Sequence, residues 1–226
     1  MIAVTTYPDW AWGVYAERAI QSFLKFWPIP ILVYYESPPP LSNDRMGVRS
    51  FDEVEGLSEF LEFDGPSPPA EYENHYMWDA KRFSHKVFAQ LDALERYDRV
   101  IWIDADVVTH KEVPIDLCDS LTTPVLSFLG REGSYTETGI VGFNKTDPDF
   151  AEFEQRYRDQ YEKREIYKQR FWTDCHAFDF ARQGKGRDLT PWGRGVDNVM
   201  VNSELGKYMT HYKGNGKFSI GGNNVS

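Results

Sequence analysis

The chain has 226 residues, 41% hydrophobic and 15% aromatic, with a formal net charge of −10. That length and apolar content bury a full core and fit one α/β domain with insertions. The acidic balance argues against an extended nucleic-acid backbone as partner, since phosphate-tracking proteins carry basic stripes; an anionic ligand needs a local basic pocket and a metal.

The opening, Ile2 to Thr6, reads as a short strand. Ala16, Ala19, Ile20 and Phe23 recur at helical spacing and predict a helix over 15–26, stopped by Pro28; Ile31 to Tyr35 predict the next strand. This β-α-β start favours a parallel, Rossmann-like sheet. Segment 37–73, bracketed by Pro38-Pro39-Pro40 and Pro66-Ser67-Pro68-Pro69, reads as a proline-rich excursion from the sheet with a short helical candidate around Leu57, Phe60 and Leu61. From Asp79 a second helix carries Phe83, Val87, Leu91 and Leu94, the stripe of a helix packed on a sheet. Arg82 and Lys86 lie four apart and share one side of it, with Lys81 and His85 beside them. A solvated basic face is one reading. The other is a source of cations for a diphosphate, because this helix feeds the strand that follows.

That strand, Val100-Ile101-Trp102-Ile103, runs straight into Asp104-Ala105-Asp106 and is the most informative stretch of the chain. It reads as a buried strand of a parallel sheet, with Asp104 and Asp106 at its carboxyl end, where ligands collect in open α/β sheets. If the segment is extended, residues i and i+2 share one side, and both carboxylates can converge on a hard divalent cation. A strand ending in a solvated turn is the plain alternative.

Further along, 125–129 and 140–143 predict two more strands, and Asp147-Pro148 the cap and first turn of a long charged helix reaching about Tyr167. Thr173 is placed to cap a shorter helix containing Ala177, Phe178 and Phe180. The late stretch 211–217, His-Tyr-Lys-Gly-Asn-Gly-Lys, combines glycines that admit close backbone approach with His211 as a metal ligand and Lys217 as a phosphate partner. A glycine-rich surface turn is its alternative. Asp174, Asp197 and Glu137 are further carboxylates that could serve as a general acid or base; for Asp174 and Asp197 the alternative is helix capping. Cys118 and Cys175 are too few for a disulfide framework and lack zinc-ligand spacing, which points to a reducing, cytoplasmic setting. No membrane span is expected, because the apolar stretch 10–32 is broken by Glu17, Arg18, Lys25 and two prolines.

Together these residues resemble the GT-A nucleotide-sugar glycosyltransferases, especially the glycogenin-like family 8 enzymes. The likeness is carried by the opening strand with Thr5-Thr6, the Arg82/Lys86 helix, Asp104-Ala105-Asp106, Thr138-Gly139-Ile140-Val141-Gly142-Phe143-Asn144 and 211–217. It spans nearly the whole chain, and its specific elements are the Asp-x-Asp and the terminal His-x-x-Gly-x-x-Lys. It implies one GT-A domain over 1–226, with a mostly parallel central sheet flanked by helices. It also implies a metal held by Asp104, Asp106 and His211 against the donor diphosphate, with Lys217 on the phosphates. Ala3, Thr5, Thr6 and Tyr7 fall where the family holds the nucleoside, uridine by family habit; Arg82, Lys86, Gly139 and Gly214 complete the expected donor site. Two departures stand out: Glu137-Thr138-Gly139 replaces the family's small-residue stretch, and Phe218-Ser219 follows the terminal lysine.

The chemistry implied is sugar transfer from a nucleoside diphosphate sugar to a hydroxyl acceptor, with retention by family resemblance. Charge building on the departing diphosphate is stabilised by a divalent metal and nearby cations. Mixed carboxylate and imidazole ligation favours Mn2+ over Mg2+. Two rivals remain open: a haloacid dehalogenase-type phosphohydrolase with Asp104 as nucleophile, and a noncatalytic nucleotide-sugar binding protein. Metal-dependent loss of a nucleotide sugar separates the transferase from the binder, and hydrolysis of a generic phosphate ester marks the phosphatase.

Overall fold

The computed structural model describes residues 1–73, 75–190 and 198–219. Its strands are β1 (Ile2–Thr6), β2 (Ile31–Tyr35), β3 (Met46–Ser50), β4 (Arg99–Ile103), β5 (Val107–Thr109), β6 (Leu126–Leu129), β7 (Glu137–Asn144), β8 (Arg187–Asp188) and β9 (Met209–His211). The α-helices are α1 (Glu17–Phe26), α2 (Leu57–Glu62), α3 (Ala80–Arg96), α4 (Ile115–Leu121), α5 (Phe150–Glu162) and α6 (Asp174–Arg182). Seven strands form the central sheet in the order β3-β2-β1-β4-β7-β6-β8. From β3 to β4 the pairs are parallel; β7 runs antiparallel to both β4 and β6, and β8 is parallel to β6.

The apolar runs of β1, β2 and β4 follow from this position, because both faces of the sheet are covered and residues of either parity must be apolar. One face packs Val4, Leu32, Trp102 and Phe143 against Val87 and Leu91 of α3 and Phe153 of α5. The other packs Ala3, Val33 and Ile101 against Ile20 and Phe23 of α1 and Leu121 of α4. Val87, Leu91 and Leu94 of the stripe expected on α3 are its core face, while Phe83 is half-buried and outside that core.

Three expectations need correction. Segment 37–73 is not wholly an excursion, because β3 pairs in parallel with β2 along its full length, from Ile31 opposite Met46 to Tyr35 opposite Ser50. Its sequence, MGVRS, hides this: an edge strand leaves one side unpaired, and Val48 is exposed. The charged helix expected to about Tyr167 ends instead at Glu162, where the backbone turns left-handed at Arg164 (φ 60°) and continues as a 3-10 turn, Glu165–Lys168. The helix expected over 15–26 begins with a wider π-type turn, Trp12–Ala16, before α1 proper.

A polar network ties α3 to the sheet edge. Asp92 accepts hydrogen bonds from Tyr34 Oη (2.6 Å), Arg49 Nε (2.8 Å) and Arg96 Nε (3.2 Å). Burial opposes the Asp92 charge, but these three donors hold its carboxyl below the usual range. Apart from the central sheet, β5 and β9 form an antiparallel pair with Val107 opposite His211. Among the described residues no helix is long and apolar enough to cross a membrane.

Candidate metal centre

β4 ends at Ile103, and the two acids follow at the carboxyl end of a central strand. They do not lie in an extended segment, as the sequence reading assumed. The Val107 amide donates to the Asp104 carbonyl (3.0 Å), closing a tight turn, while the Asp104 amide donates to the Gly139 carbonyl (2.8 Å). The turn swings β5 out of the sheet to meet β9. That pairing carries His211 to the aspartates, and the Tyr212 amide donating to the Asp106 carbonyl (3.0 Å) locks the register.

Ligand atoms of Asp104, Asp106 and His211 all lie within 4.8 Å of one another. His211 Nε2 is 3.0 Å from Asp106 Oδ1 and 3.9 Å from Asp104 Oδ2. Asp106 and His211 are only 4% and 5% exposed, and Asp106 Oδ1, without a well-aligned hydrogen-bond donor, has His211 Nε2 as its neighbour at 3.0 Å, so a cation shared between the two would meet buried ligand atoms that face each other. Two carboxylates and one imidazole suit a divalent ion of hard or borderline character, so these residues fit the metal that the family resemblance implies.

Cations crowd the same acids. Lys217 Nζ pairs with Asp106 Oδ2 at 2.6 Å and lies 5.2 Å from the centre of the Tyr15 ring. Burial disfavours a charged Asp106, but His211 and Lys217 hold its carboxyl well below the usual range. Lys86 Nζ donates to Asp104 Oδ1 and to the Thr138 carbonyl, both at 2.8 Å, and pairs with Asp174 Oδ2 at 2.8 Å. Burial works against the charge on this lysine; Asp104 and Asp174 outweigh it and hold the ammonium above the usual lysine range. Trp102 Nε1 also donates to Asp104 Oδ1 (2.7 Å), so that oxygen is committed and Oδ2 is the one nearer His211.

Asp174 is 3% exposed at the start of α6, accepting from the Thr138 hydroxyl (2.5 Å) as well as pairing with Lys86; Thr173 caps that helix, as expected, by accepting from the His176 amide. Burial opposes its charge, and Lys86 and Thr138 reverse the effect. Glu137 opens β7, buried, ion-paired with both Arg131 and Lys213, and 3.6 Å from His211 Nδ1. Sequence reading missed Arg131 and Lys213, since nothing in their spacing links them to Glu137. Gly139 has a plain steric role here: a Cβ on it would sit 2.6 Å from His211 Nδ1.

The remaining candidates sit around this centre. Ala3 and Thr5 are buried within β1, and Thr5 Oγ1 has no hydrogen-bond partner. Thr6 Oγ1 donates to the Tyr34 carbonyl (3.0 Å), and burial together with Asp9 pushes the Tyr7 phenol up to about 12. Arg82 is exposed on the first turn of α3, and Gly214 (φ 52°) opens the 3-10 turn Gly214–Ser219 that carries Lys217. Asp197 lies outside the described residues.

No protein-family model matches this chain, and no curated protein does. Solved structures do. The chain is similar to the apo WbbM bifunctional glycosyltransferase, with a TM-score of 0.51 and 14% identity over 98% of this chain and 44% of that one. It is also similar to the glycosyltransferase GlyE of Streptococcus pneumoniae TIGR4, apo form, with a TM-score of 0.53 and 14% identity over 83% of this chain and 44% of that one. This chain therefore spans less than half the length of either. At such identity the likeness establishes the fold: a GT-A, Rossmann-like α/β arrangement with a mostly parallel central sheet.

Proposed function

We propose that this chain is a metal-dependent glycosyltransferase, moving a sugar from a nucleoside diphosphate sugar, with UDP as the carrier, to a hydroxyl acceptor, and that residues 1–226 act as one GT-A domain. The observation that carries the reading is the Asp104, Asp106 and His211 cluster at the carboxyl end of β4, with Lys217 2.6 Å from Asp106. When bound there, a divalent cation, Mn2+ for this mixed donor set, neutralises charge on the departing diphosphate.

The protein's own part is positioning and charge. Lys217 exchanges Asp106 for a phosphate oxygen when the donor arrives. Lys86 fixes the rotamer of Asp104 by holding Oδ1, and Asp174 with Thr138 fixes Lys86. Arg131 and Lys213 both pair with the carboxylate of Glu137 and bring two cationic side chains to the neighbourhood of His211. With Asp174 and Glu137 engaged in ion pairs, Asp197 is the remaining carboxylate for the acceptor hydroxyl. Thr6, Tyr7 and Arg82 flank the nucleoside end, and Gly214 gives the Lys217 turn its close approach. Retention at the anomeric carbon is the outcome the family resemblance supports.

A phosphohydrolase reading would have to use Asp104 Oδ2 as the nucleophile, since Lys86 and Trp102 engage Oδ1. A thermal-shift and calorimetric screen of nucleoside diphosphate sugars with and without Mn2+, followed by assay of nucleotide release, tests the proposal. Manganese-dependent binding and release of UDP are expected. Binding without release in any acceptor mixture would leave a noncatalytic binder, and hydrolysis of simple phosphate esters would favour the phosphatase.

A further inference from the structure

The backbone of His211 is well anchored, and its ring lies between two carboxylates. β9 pairs with β5, the Tyr212 amide donates to the Asp106 carbonyl, and Asn198 Nδ2 donates to the His211 carbonyl (3.0 Å), but none of these contacts sets the direction of the imidazole. On one side Nε2 faces Asp106 Oδ1 at 3.0 Å. On the other, Nδ1 is buried without a hydrogen-bond partner, and Glu137 Oε1 stands 3.6 Å away.

β7 builds that second side. Glu137 and Gly139 are two apart in the strand and lie on one face of it. A Cβ on Gly139 would sit 2.6 Å from His211 Nδ1 and 3.1 Å from Glu137 Oε1, so the missing side chain leaves open the space that these two atoms share. The carboxylate is already oriented toward it. Arg131 and Lys213 both donate to Oε2, whereas Oε1 accepts the Gly139 amide at 3.2 Å and has lone-pair capacity for a second donor. Glu137 also stands in a stretch where the family resemblance implies small residues, so this arrangement belongs to the present chain.

Resting on the metal-dependent reading of this centre, we propose that Glu137 is a positioning residue for His211, its Oε1 accepting the Nδ1 proton when Nε2 holds the cation. A neutral imidazole carries one proton, so ligation through Nε2 places it on Nδ1, where Glu137 is the neighbouring carboxylate. Such an acceptor fixes the tautomer and the ring direction of a histidine ligand and raises the basicity of its ligating nitrogen. Closing 3.6 Å to hydrogen-bond distance takes about 0.5 Å of side-chain movement. Glu137 is thereby assigned to the metal ligand rather than to the acceptor hydroxyl.

Mn2+ affinity of the full chain, read by electron paramagnetic resonance without nucleotide or acceptor, tests this in the wild type, Glu137→Met, Lys213→Met and the double variant. Glu137→Met also takes the counter-charge from Arg131 and Lys213; the Lys213→Met background removes one positive charge in return, which separates charge from hydrogen bonding. Replacing Glu137 should weaken Mn2+ binding about 10- to 100-fold in both backgrounds. A loss confined to the background that keeps Lys213 would make Glu137 a charge partner only and overturn the proposal, as would unchanged affinity in both. Ring-nitrogen NMR of the wild type loaded with diamagnetic Zn2+ decides the matter even if the variants fail to fold. His211 should ligate through Nε2 and carry a downfield, slowly exchanging proton on Nδ1; ligation through Nδ1, or an Nδ1 proton in fast exchange with water, would overturn the proposal. A wild type that binds neither ion would instead remove the metal reading on which the inference rests.

Discussion

Lys217 occupies the carboxylate that the metal needs, and its removal should have opposite effects on two ligands. Its Nζ lies 2.6 Å from Asp106 Oδ2, so a divalent ion entering between Asp106 Oδ1 and His211 meets the repulsion of an ammonium already held on the other oxygen of the same carboxylate. A hydrogen bond to a charged group is worth about 1.5–3 kcal/mol net; with the Lys217 side chain 28% exposed, the lower end applies. At 1.36 kcal/mol per decade, Lys217→Met should therefore tighten Mn2+ binding to the ligand-free protein about tenfold. The same substitution removes the phosphate partner, so UDP affinity at saturating Mn2+ should fall by about tenfold, while uridine affinity stays unchanged. Titration calorimetry with Mn2+ alone, then with UDP and uridine in excess Mn2+, reads all three values. Manganese affinity that is unchanged or weaker in Lys217→Met would refute the competition, and equal losses for UDP and uridine would make Lys217 structural.

Gly139→Ala should thrust a methyl group against His211, whose burial prevents escape; Mn2+ affinity is expected to drop about 10- to 100-fold with circular dichroism unchanged, and undiminished affinity would argue against imidazole ligation. Asp92→Asn should destabilise the fold by about 3 kcal/mol at pH 7 in urea titrations, because it leaves Arg49 and Arg96 beside a neutral side chain. A carboxylate depressed below its ordinary 3.8 stabilises the fold above that pH and loses the contribution as pH falls through its folded value, so the gap to wild type should narrow in acid; a constant gap would contradict the network. Burial pushes both Cys118 and Cys175 up to about 12, so Ellman's reagent at pH 8 should label neither quickly until the protein is unfolded. Fast native labelling of Cys175 would mean that the first turn of α6 opens.

The elements legible in the sequence are those whose signal is local. Apolar spacing marks α1 and α3, continuous apolar runs mark β2 and β4, and Thr173 marks the start of α6, because helix periodicity, two-sided burial and capping each leave a pattern within a few residues. β3 was not legible, since an edge strand with one exposed side needs no apolar run. Nor was the β5 and β9 pair, three residues each and about a hundred apart in the chain, although that pair is what brings His211 to Asp106. The aspartates were recognised for their place after β4, yet they converge with His211 through a turn and a distant strand rather than along an extended segment. The helix spacing puts Lys86 on the side of α3 that faces Asp104, but its bond to Asp104 and its partner Asp174 depend on packing between α3, β7 and α6 that no single stretch encodes.

The central claim is that Asp104, Asp106 and His211 hold a divalent ion that in turn holds a nucleoside diphosphate. Electron paramagnetic resonance of Mn2+ titrated with the wild type and with Asp104→Asn, Asp106→Asn and His211→Ala, with and without UDP, tests it most directly. The wild type should bind one Mn2+, more tightly when UDP is present, and each variant should lose that affinity by about tenfold or more while remaining folded. Wild-type Mn2+ binding and its UDP enhancement persisting in all three variants would contradict the account.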